Sequence, residues 1–458
     1  MRRLALALLF LPVLVAAQSL PPKAAVLHVA DSLAAAFLAD HQSPSVAVAL
    51  VRGRDTLVFS AWGKADLEND LAASPRSVYR VGSVTKQFTS AAVMQLVEQG
   101  KVKLEDSIAA FLPALPAAWR GVTVRQLLNH TSGIPSYTDI GPSWVRRWGE
   151  QMRPDTILAL VANTPMGFAP GTSWHYNNTG YVLLGMLIEK VANHSWGVDL
   201  QERFFKPLGL ADTRNCLNVP LVPRRAQGYQ PAGNGWTNAP YLAMSQPYAA
   251  GALCSTIGDL VTWNRALHTG KVVSAASYAM MTTPEGAAAK AALKYGFGLG
   301  RDTLAGRPVI THGGGINGFI TANVWLPDGE LSVTVLTNSG AARADRLMAQ
   351  LVRAAVGVPL LKSPAVIATT AAQRARYLGV YALAFEGAAR DFTVTERDGQ
   401  LFGQLAGQEP LALLYYGNDT WGAAFDPDLR LTFSIRGEQA SSLTLRQGGG
   451  DIGGHRKP

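Results

Sequence analysis

Ser83-Val84-Thr85-Lys86 opens an apolar stretch in which Phe88, Ala91, Ala92, Gln95, Leu96 and Gln99 recur at helical spacing before Gly100. The spacing predicts a helix over residues 84–99 with the glycine as its stop. Ser-x-x-Lys sets a hydroxyl and an amine one turn apart on one helix face. That is the arrangement of a serine nucleophile with a local base. The four residues alone also fit an N-cap serine followed by a solvated lysine. The order of two further motifs favours the chemical reading: Tyr176-Asn177-Asn178 ahead of an apolar helix, and His312-Gly313-Gly314-Gly315 at the end of a β-type run.

Around this stretch, residues 24–40 read as a helix, and 45–52 with 55–62 as a hairpin turned at Arg52-Gly53-Arg54-Asp55. Helices follow over 179–192, 256–268 (opened by Ser255 or Thr256) and 341–356. Strands fall near 295–302, 308–312, 319–326 and 331–337. Strands at both ends with helices between predict an α/β (α+β) fold. One antiparallel sheet is built from both ends of the region, helices flank it, and a mostly helical subdomain is inserted.

At 458 residues the chain is long enough for two or three domains. Hydrophobic residues make up 48% and charged residues 16%, a globular balance. Arg2 and Arg3, the apolar run Leu4 to Val15 and the small residues before Gln18 read as a cleavable leader over residues 1–17, cut after Ala17. The run is short for a bilayer span, so no stable membrane anchor is expected. The expected location is periplasmic or secreted. The net charge is +9, with two of the positive charges in the leader. The rest are scattered, which argues against a nucleic-acid surface. Cys216 and Cys254 are the two cysteines. In an exported chain an even count favours one disulfide, the alternative being two buried thiols. No Cys/His spacing suggests a metal, and no cofactor is expected.

Residues 361–376 read as a linker, 377–447 as a small β-barrel-like domain of short strands and turns, and 448–458 as a disordered tail. Gly296-Phe297-Gly298-Leu299-Gly300 resembles a nucleotide loop only superficially, since no helix follows it. His130, in a Pro/Gly-flanked loop, reads as structural. Trp144, Trp148 and Trp174 read by default as packing residues.

The three motifs, with Leu127-Leu128-Asn129-His130-Thr131-Ser132-Gly133-Ile134-Pro135, Tyr181-Val182-Leu183-Leu184-Gly185 and Gly251-Ala252-Leu253-Cys254-Ser255-Thr256, resemble the serine β-lactamase-like superfamily. The resemblance is to the class C β-lactamase, D-Ala-D-Ala carboxypeptidase and family VIII esterase branch, and it covers most of residues 25–360. It implies a β-lactamase/transpeptidase-like fold over residues 18–360 and a serine hydrolase acting through an acyl-enzyme on Ser83. Lys86 and Tyr176 are the candidate bases, and Asn178 holds Lys86 and the substrate acyl group. The resemblance further implies an oxyanion hole formed by the backbone N–H groups of Ser83 and Gly315, with Gly313 and Gly314 expected to let substrate approach. The C-terminal domain is similar to a lipocalin-like module often appended to this superfamily.

His312 departs from the Lys-Thr-Gly triplet of the β-lactamases. It is expected to titrate near neutral pH and to weaken carboxylate binding. An ester or a peptide bond, the latter with a D-residue and of cell-wall origin, therefore ranks above a β-lactam. The alternative is a penicillin- or peptide-binding sensor with little turnover. The sequence leaves the oligomeric state open.

Overall fold

The computed structural model describes residues 20–233, 235–362, 364–385, 388–406, 410–423, 426–447 and 450–458. The expected leader lies outside them. The chain divides into two compact units, Met1–Leu360 and Leu361–Pro458.

In the first unit the hairpin β1 (Ser45–Arg52) and β2 (Asp55–Asp66) is extended by β3 (Leu71–Ala72). The C-terminal part of the unit supplies β4 (Lys294–Tyr295), β5 (Gly300–Leu304), β6 (Arg307–Thr311), β7 (Gly314–Ile316), β8 (Phe319–Leu326) and β9 (Leu331–Thr337). Among the described residues the order is β3-β2-β1-β9-β8-β6-β5-β4, with β7 paired to β8 beside the main path. The antiparallel β1–β9 pair, from Val46↔Thr337 to Arg52↔Leu331, joins the two ends.

Strand β1 is buried on both faces, and its pleat explains why. Val46, Val48 and Leu50 pack with Val26, Ala30, Ala34 and Phe37 of α1 (Lys23–Ala39) and with Leu347, Leu351 and Val352 of a C-terminal helix, Ala344–Val356. The smaller Ala47 and Ala49 face the second core, which holds α2 (Thr85–Glu98). Alternate residues point to opposite faces, so small side chains mark the face against which the helical part presses.

Helix α2 is buried almost all round, more than its periodicity suggested. Its polar residues are hydrogen-bonded as burial demands. Thr89 donates to the Ala249 carbonyl, Ser90 meets the Tyr181 hydroxyl, and Gln87 accepts from the Trp263 indole. α3 (Asn178–Ala192) packs along it, and Trp263 of α4 (Ile257–His268), a helix capped by Thr256, stacks on its Phe88.

The second unit begins with a short helix, Ala371–Ala375, opened by a Thr370/Gln373 capping box. The expected linker is thus partly structured. Nine strands follow among the described residues: β10 (Gly379–Phe385), β11 (Ala388–Arg397), β12 (Gln400–Leu405), β13 (Leu411–Ala412), β14 (Leu414–Gly417), β15 (Thr420–Ala423), β16 (Asp426–Arg436), β17 (Gln439–Gln447) and β18 (Gly450–Arg456). Their order is β13-β12-β11-β10-β18-β17-β16-β15-β14. The two edges, β13 and β14, belong to one short chain segment, so the sheet curls back on itself around Tyr381, Phe392, Trp421 and Phe433.

The expectation of a disordered tail over 448–458 is corrected by β18. This strand sits in the middle of the order, paired to β17 through Leu445↔Ile452 and to β10 through Leu383↔Gly454. Its sequence, Gly-Asp-Ile-Gly-Gly-His-Arg, has one apolar side chain. Backbone hydrogen bonds on both sides hold it, and these leave no hydrophobic alternation to read.

Candidate active site

Ser83 lies in a 3-10 turn, Gly82–Val84, immediately before α2. It is not the cap of that helix, whose N-terminus has no side-chain cap. The turn is pinned on one side by Val81 N–H donating to the Leu253 carbonyl. On the other side it is pressed by β7. A Cβ at Gly314 would collide with the Val81 carbonyl oxygen and stand 3.0 Å from the Ser83 nitrogen; one at Gly82 would stand 2.9 Å from the Gly315 nitrogen. Only glycines permit this approach, which seats the Ser83 turn against the backbone of Gly314 and Gly315.

Lys86 is fully buried. Its Nζ lies 2.8 Å from Asn178 Oδ1, 2.9 Å from the Ala250 carbonyl oxygen and 3.2 Å from Ser83 Oγ. It also stands 4.6 Å from the centre of the Tyr176 ring and 5.2 Å from that of Tyr181. Among the described residues no carboxylate pairs with it. Burial therefore pushes its pKa well below the ordinary lysine value. The two short contacts are to oxygens that can only accept. A neutral amine has two N–H donors and one lone pair; satisfying both carbonyl-type acceptors turns the lone pair toward Ser83.

Asn178 is available for this contact because Asn177, not Asn178, caps α3 by accepting from Gly180 N–H at 2.7 Å. The other end of the Asn178 amide donates to Thr138 Oγ1 at 3.0 Å, and its backbone N–H donates to Ser136. The loop after Pro135 thus fixes the amide with its oxygen toward Lys86.

The Tyr176 phenol makes no well-formed hydrogen bond, although Ser83 is near enough to draw its pKa slightly back down. Burial dominates and raises that pKa strongly, so Tyr176 is a neutral phenol. Its ring packs 4.5 Å from His130 and 6.3 Å from His312. His130 accepts the Asn177 N–H on Nδ1 at 3.1 Å, which places its proton on a buried Nε2. It braces the Tyr176 loop, and burial holds its pKa well below the ordinary value.

His312 departs from expectation. Its Nδ1 is 2.6 Å from the Gly313 carbonyl, so that nitrogen carries the proton, and its Nε2 accepts from the Tyr295 hydroxyl at 2.7 Å. Burial, then the nearby Lys86, push its pKa down to about 3. It does not titrate near neutral pH. The ring is a neutral imidazole of fixed tautomer.

Tyr295 was missed by sequence reasoning. Its only signal was its position at the head of the alternating glycines dismissed as a nucleotide loop. Those glycines let the segment lie against α2: a Cβ at Gly298 would meet the Lys86 carbonyl oxygen at 2.6 Å. The same contact breaks the strand expected over 295–302 into β4 and β5. Ala250, whose carbonyl receives Lys86, carried no signal at all. Cys216 and Cys254 are disulfide-bonded, with Cα atoms 5.3 Å apart. Cys254 pairs with Arg80 on the strand leading to Ser83, so the bond anchors the approach to Ser83.

The beta-lactamase family model matches residues 30–357. This chain belongs to that family and is a serine hydrolase of the β-lactamase-like superfamily. It is 27% identical over 440 residues to a protein of Bacillus subtilis named penicillin-binding protein 4*, covering 88% of this chain and 93% of the relative. It is 26% identical over 343 residues to a D-aminopeptidase of Gluconobacter oxydans, covering 72% of this chain and 62% of the relative. Among solved structures, a D-stereospecific amidohydrolase from Streptomyces sp. superposes with a TM-score of 0.64 at 31% identity, over 73% of this chain and 98% of that one. An octameric penicillin-binding protein homologue from Pyrococcus abyssi shares the fold at a TM-score of 0.67 and 22% identity, over 93% and 98% of the two chains.

Proposed function

We propose that the chain hydrolyses an amide or peptide bond next to a D-residue through an acyl-enzyme on Ser83. The observation that carries this reading is the buried, carboxylate-free Lys86 with its free valence directed at Ser83 Oγ. Lys86 Nζ takes the Ser83 proton as Oγ bonds to the acyl carbon. The resulting oxyanion is held by the Ser83 and Gly315 N–H groups, each worth roughly 3–4 kcal/mol in such holes. Tyr176 passes the proton from Lys86 to the leaving nitrogen, and the amine departs. Water then attacks the acyl carbon, its proton returns through Tyr176 and Lys86, and Oγ leaves as the hydroxyl. Lys86 is the primary base, because burial favours its neutral form and disfavours the Tyr176 phenolate. Neutral His312 offers no cation to a substrate carboxylate, which ranks esters and amides above β-lactams.

The amidohydrolase and aminopeptidase relatives support the D-specific amide. The disulfide supports an exported protein in an oxidising compartment, acting on cell-wall-derived peptides. The curled C-terminal sheet supports a lipocalin-like module. The test is steady-state hydrolysis of a D-amino acid amide, a short p-nitrophenyl ester and a chromogenic cephalosporin, beside Ser83→Ala, with intact mass followed. Many turnovers lost in Ser83→Ala sustain the reading. One equivalent of product with a stable adduct on Ser83 would make the protein a penicillin- or peptide-binding sensor instead.

A further inference from the structure

Asp139 and His175 stand outside the group that reaches Ser83, yet a continuous run of hydrogen bonds joins them to Lys86. Lys86 Nζ donates to Asn178 Oδ1 at 2.8 Å, and Asn178 Nδ2 donates to Thr138 Oγ1 at 3.0 Å. Thr138 Oγ1 also lies 2.9 Å from Ser136 Oγ and 3.3 Å from Asp139 Oδ1. The other carboxylate oxygen, Oδ2, accepts from His175 Nε2 at 2.8 Å. His175 is the residue before Tyr176, and its backbone N–H donates to the His130 carbonyl at 3.1 Å. The pair therefore bridges the turn Tyr137–Ile140 to the segment that carries Tyr176.

The direction of every bond in this run follows from the one group that can only accept. The Asp139 carboxylate has no hydrogen to give, so Thr138 donates to it. A hydroxyl has one hydrogen. Thr138 therefore accepts from its other two neighbours, the Ser136 hydroxyl and the Asn178 amide. Ser136 fits this scheme. Its Oγ accepts the Asn178 backbone N–H at 3.2 Å, and among the described residues Thr138 is the acceptor for its own hydrogen. The amide nitrogen of Asn178 is thus held on the Thr138 side and its oxygen on the Lys86 side. Without the carboxylate, Thr138 can donate inward and the amide can turn over. An Nδ2–H facing Lys86 would take the lone pair that otherwise points at Ser83 Oγ.

We infer that Asp139 is a positioning residue for the Ser83–Lys86 pair: it orients the Asn178 amide through Thr138, and His175 holds its carboxylate in place. This rests on the reading of Lys86 as the base. The Asp139 and His175 side chains are 51% and 46% exposed, so either can be replaced without opening the core. The carboxylate acts along hydrogen bonds, so its effect depends on the Thr138 hydroxyl. A through-space effect of its charge would not.

The test labels Ser83 with a fluorophosphonate: Oγ bonds to phosphorus, fluoride leaves, and the Oγ proton passes to Lys86. The rate is followed by intact mass in the wild type, Asp139→Asn, Thr138→Val and the double variant. Asp139→Asn should slow labelling roughly 3- to 10-fold, the worth of one hydrogen bond, at an unchanged melting temperature. Thr138→Val should slow it by a similar factor, and adding Asp139→Asn to Thr138→Val should change nothing further. An unchanged rate in Asp139→Asn, or factors that multiply in the double variant, would overturn the role of Asp139. Nitrogen NMR of the Asn178 side chain in Ser83→Ala reads the amide itself. One resonance pair, with its protons close to the Thr138 methyl, should become two populations when Asp139→Asn is added. A single unchanged pair there would also overturn the assignment. Two populations without any labelling of the wild type would instead reject Lys86 as the base and leave the positioning role standing.

Discussion

The Tyr295 hydroxyl donates to His312 Nε2 at 2.7 Å while the opposite nitrogen of that ring donates to the Gly313 carbonyl. One phenol thereby determines which nitrogen of the imidazole carries a proton. Tyr295→Phe leaves a buried acceptor unmatched, which costs about 1–3 kcal/mol of stability. A loss of about 10-fold in kcat/KM is expected as the ring loosens beside Tyr176. Nitrogen NMR should show an unprotonated Nε2 in the wild type. A proton on Nε2 there would refute the assignment.

Replacing Lys86 by arginine separates proton transfer from charge. Arginine keeps the cation but cannot lose its proton. Lys86→Arg should therefore lose at least about 1,000-fold in acylation, measured by the rate of adduct formation on Ser83. If charge alone sufficed, the loss would be small.

In the wild type, acylation should rise with pH as Lys86 sheds its proton, with a midpoint well below 10.5 because burial disfavours the ammonium. Tyr176 contributes no rising limb of its own below pH 10, since its phenol is shifted upward. A pH–rate midpoint near 10.5 would place the lysine in water-like surroundings, contrary to the structure.

Acid should unfold the first unit early. His312 and His268 are both neutral in the fold, with pKa values lowered from 6.5 to about 3, mainly by burial. Between these values the unfolded chain binds more protons than the native one. Stability is thus fully present above about pH 6.5 and falls as pH drops toward 3, by about 1.4 kcal/mol per pH unit for each histidine. Denaturant midpoints at pH 7, 5 and 4 measure the slope. A flat profile would mean that the rings are solvated.

Gly314→Ala introduces a methyl group against the Val81 carbonyl. Displacement of β7 from the Ser83 turn should cost about 1–3 kcal/mol and roughly 100- to 1,000-fold in kcat, because an oxyanion donor moves with the strand. Gly121→Ala, at a glycine with nothing within 4 Å and no left-handed φ, controls for a general loss of glycine.

Much of this was legible in sequence because the motifs carry their own geometry. The helix after Ser83, the helix after Asn178 and the β1–β2 hairpin all announce themselves through periodicity and turn residues. Features set by long-range packing did not. Nothing local distinguishes Asn177 from Asn178 as a cap, since the choice depends on the Thr138 loop that grips the second amide. The depressed pKa of His312 comes from burial against Tyr295 and Lys86, which no spacing records. β18 was invisible because its neighbours, not its side chains, make it a strand.

The pairing of Val46 with Thr337 closes the first sheet across nearly the whole unit. During synthesis, at about 5–20 residues per second, the hairpin and the Ser83 turn emerge tens of seconds before the strand that joins them and the glycine strand that seats the turn. A partial chain therefore holds Ser83 and Lys86 without the strands that bury and seat them. On the proposed reading the site is assembled only once translation has passed Thr337, so the order of the gene would keep the chemistry silent until the sheet closes.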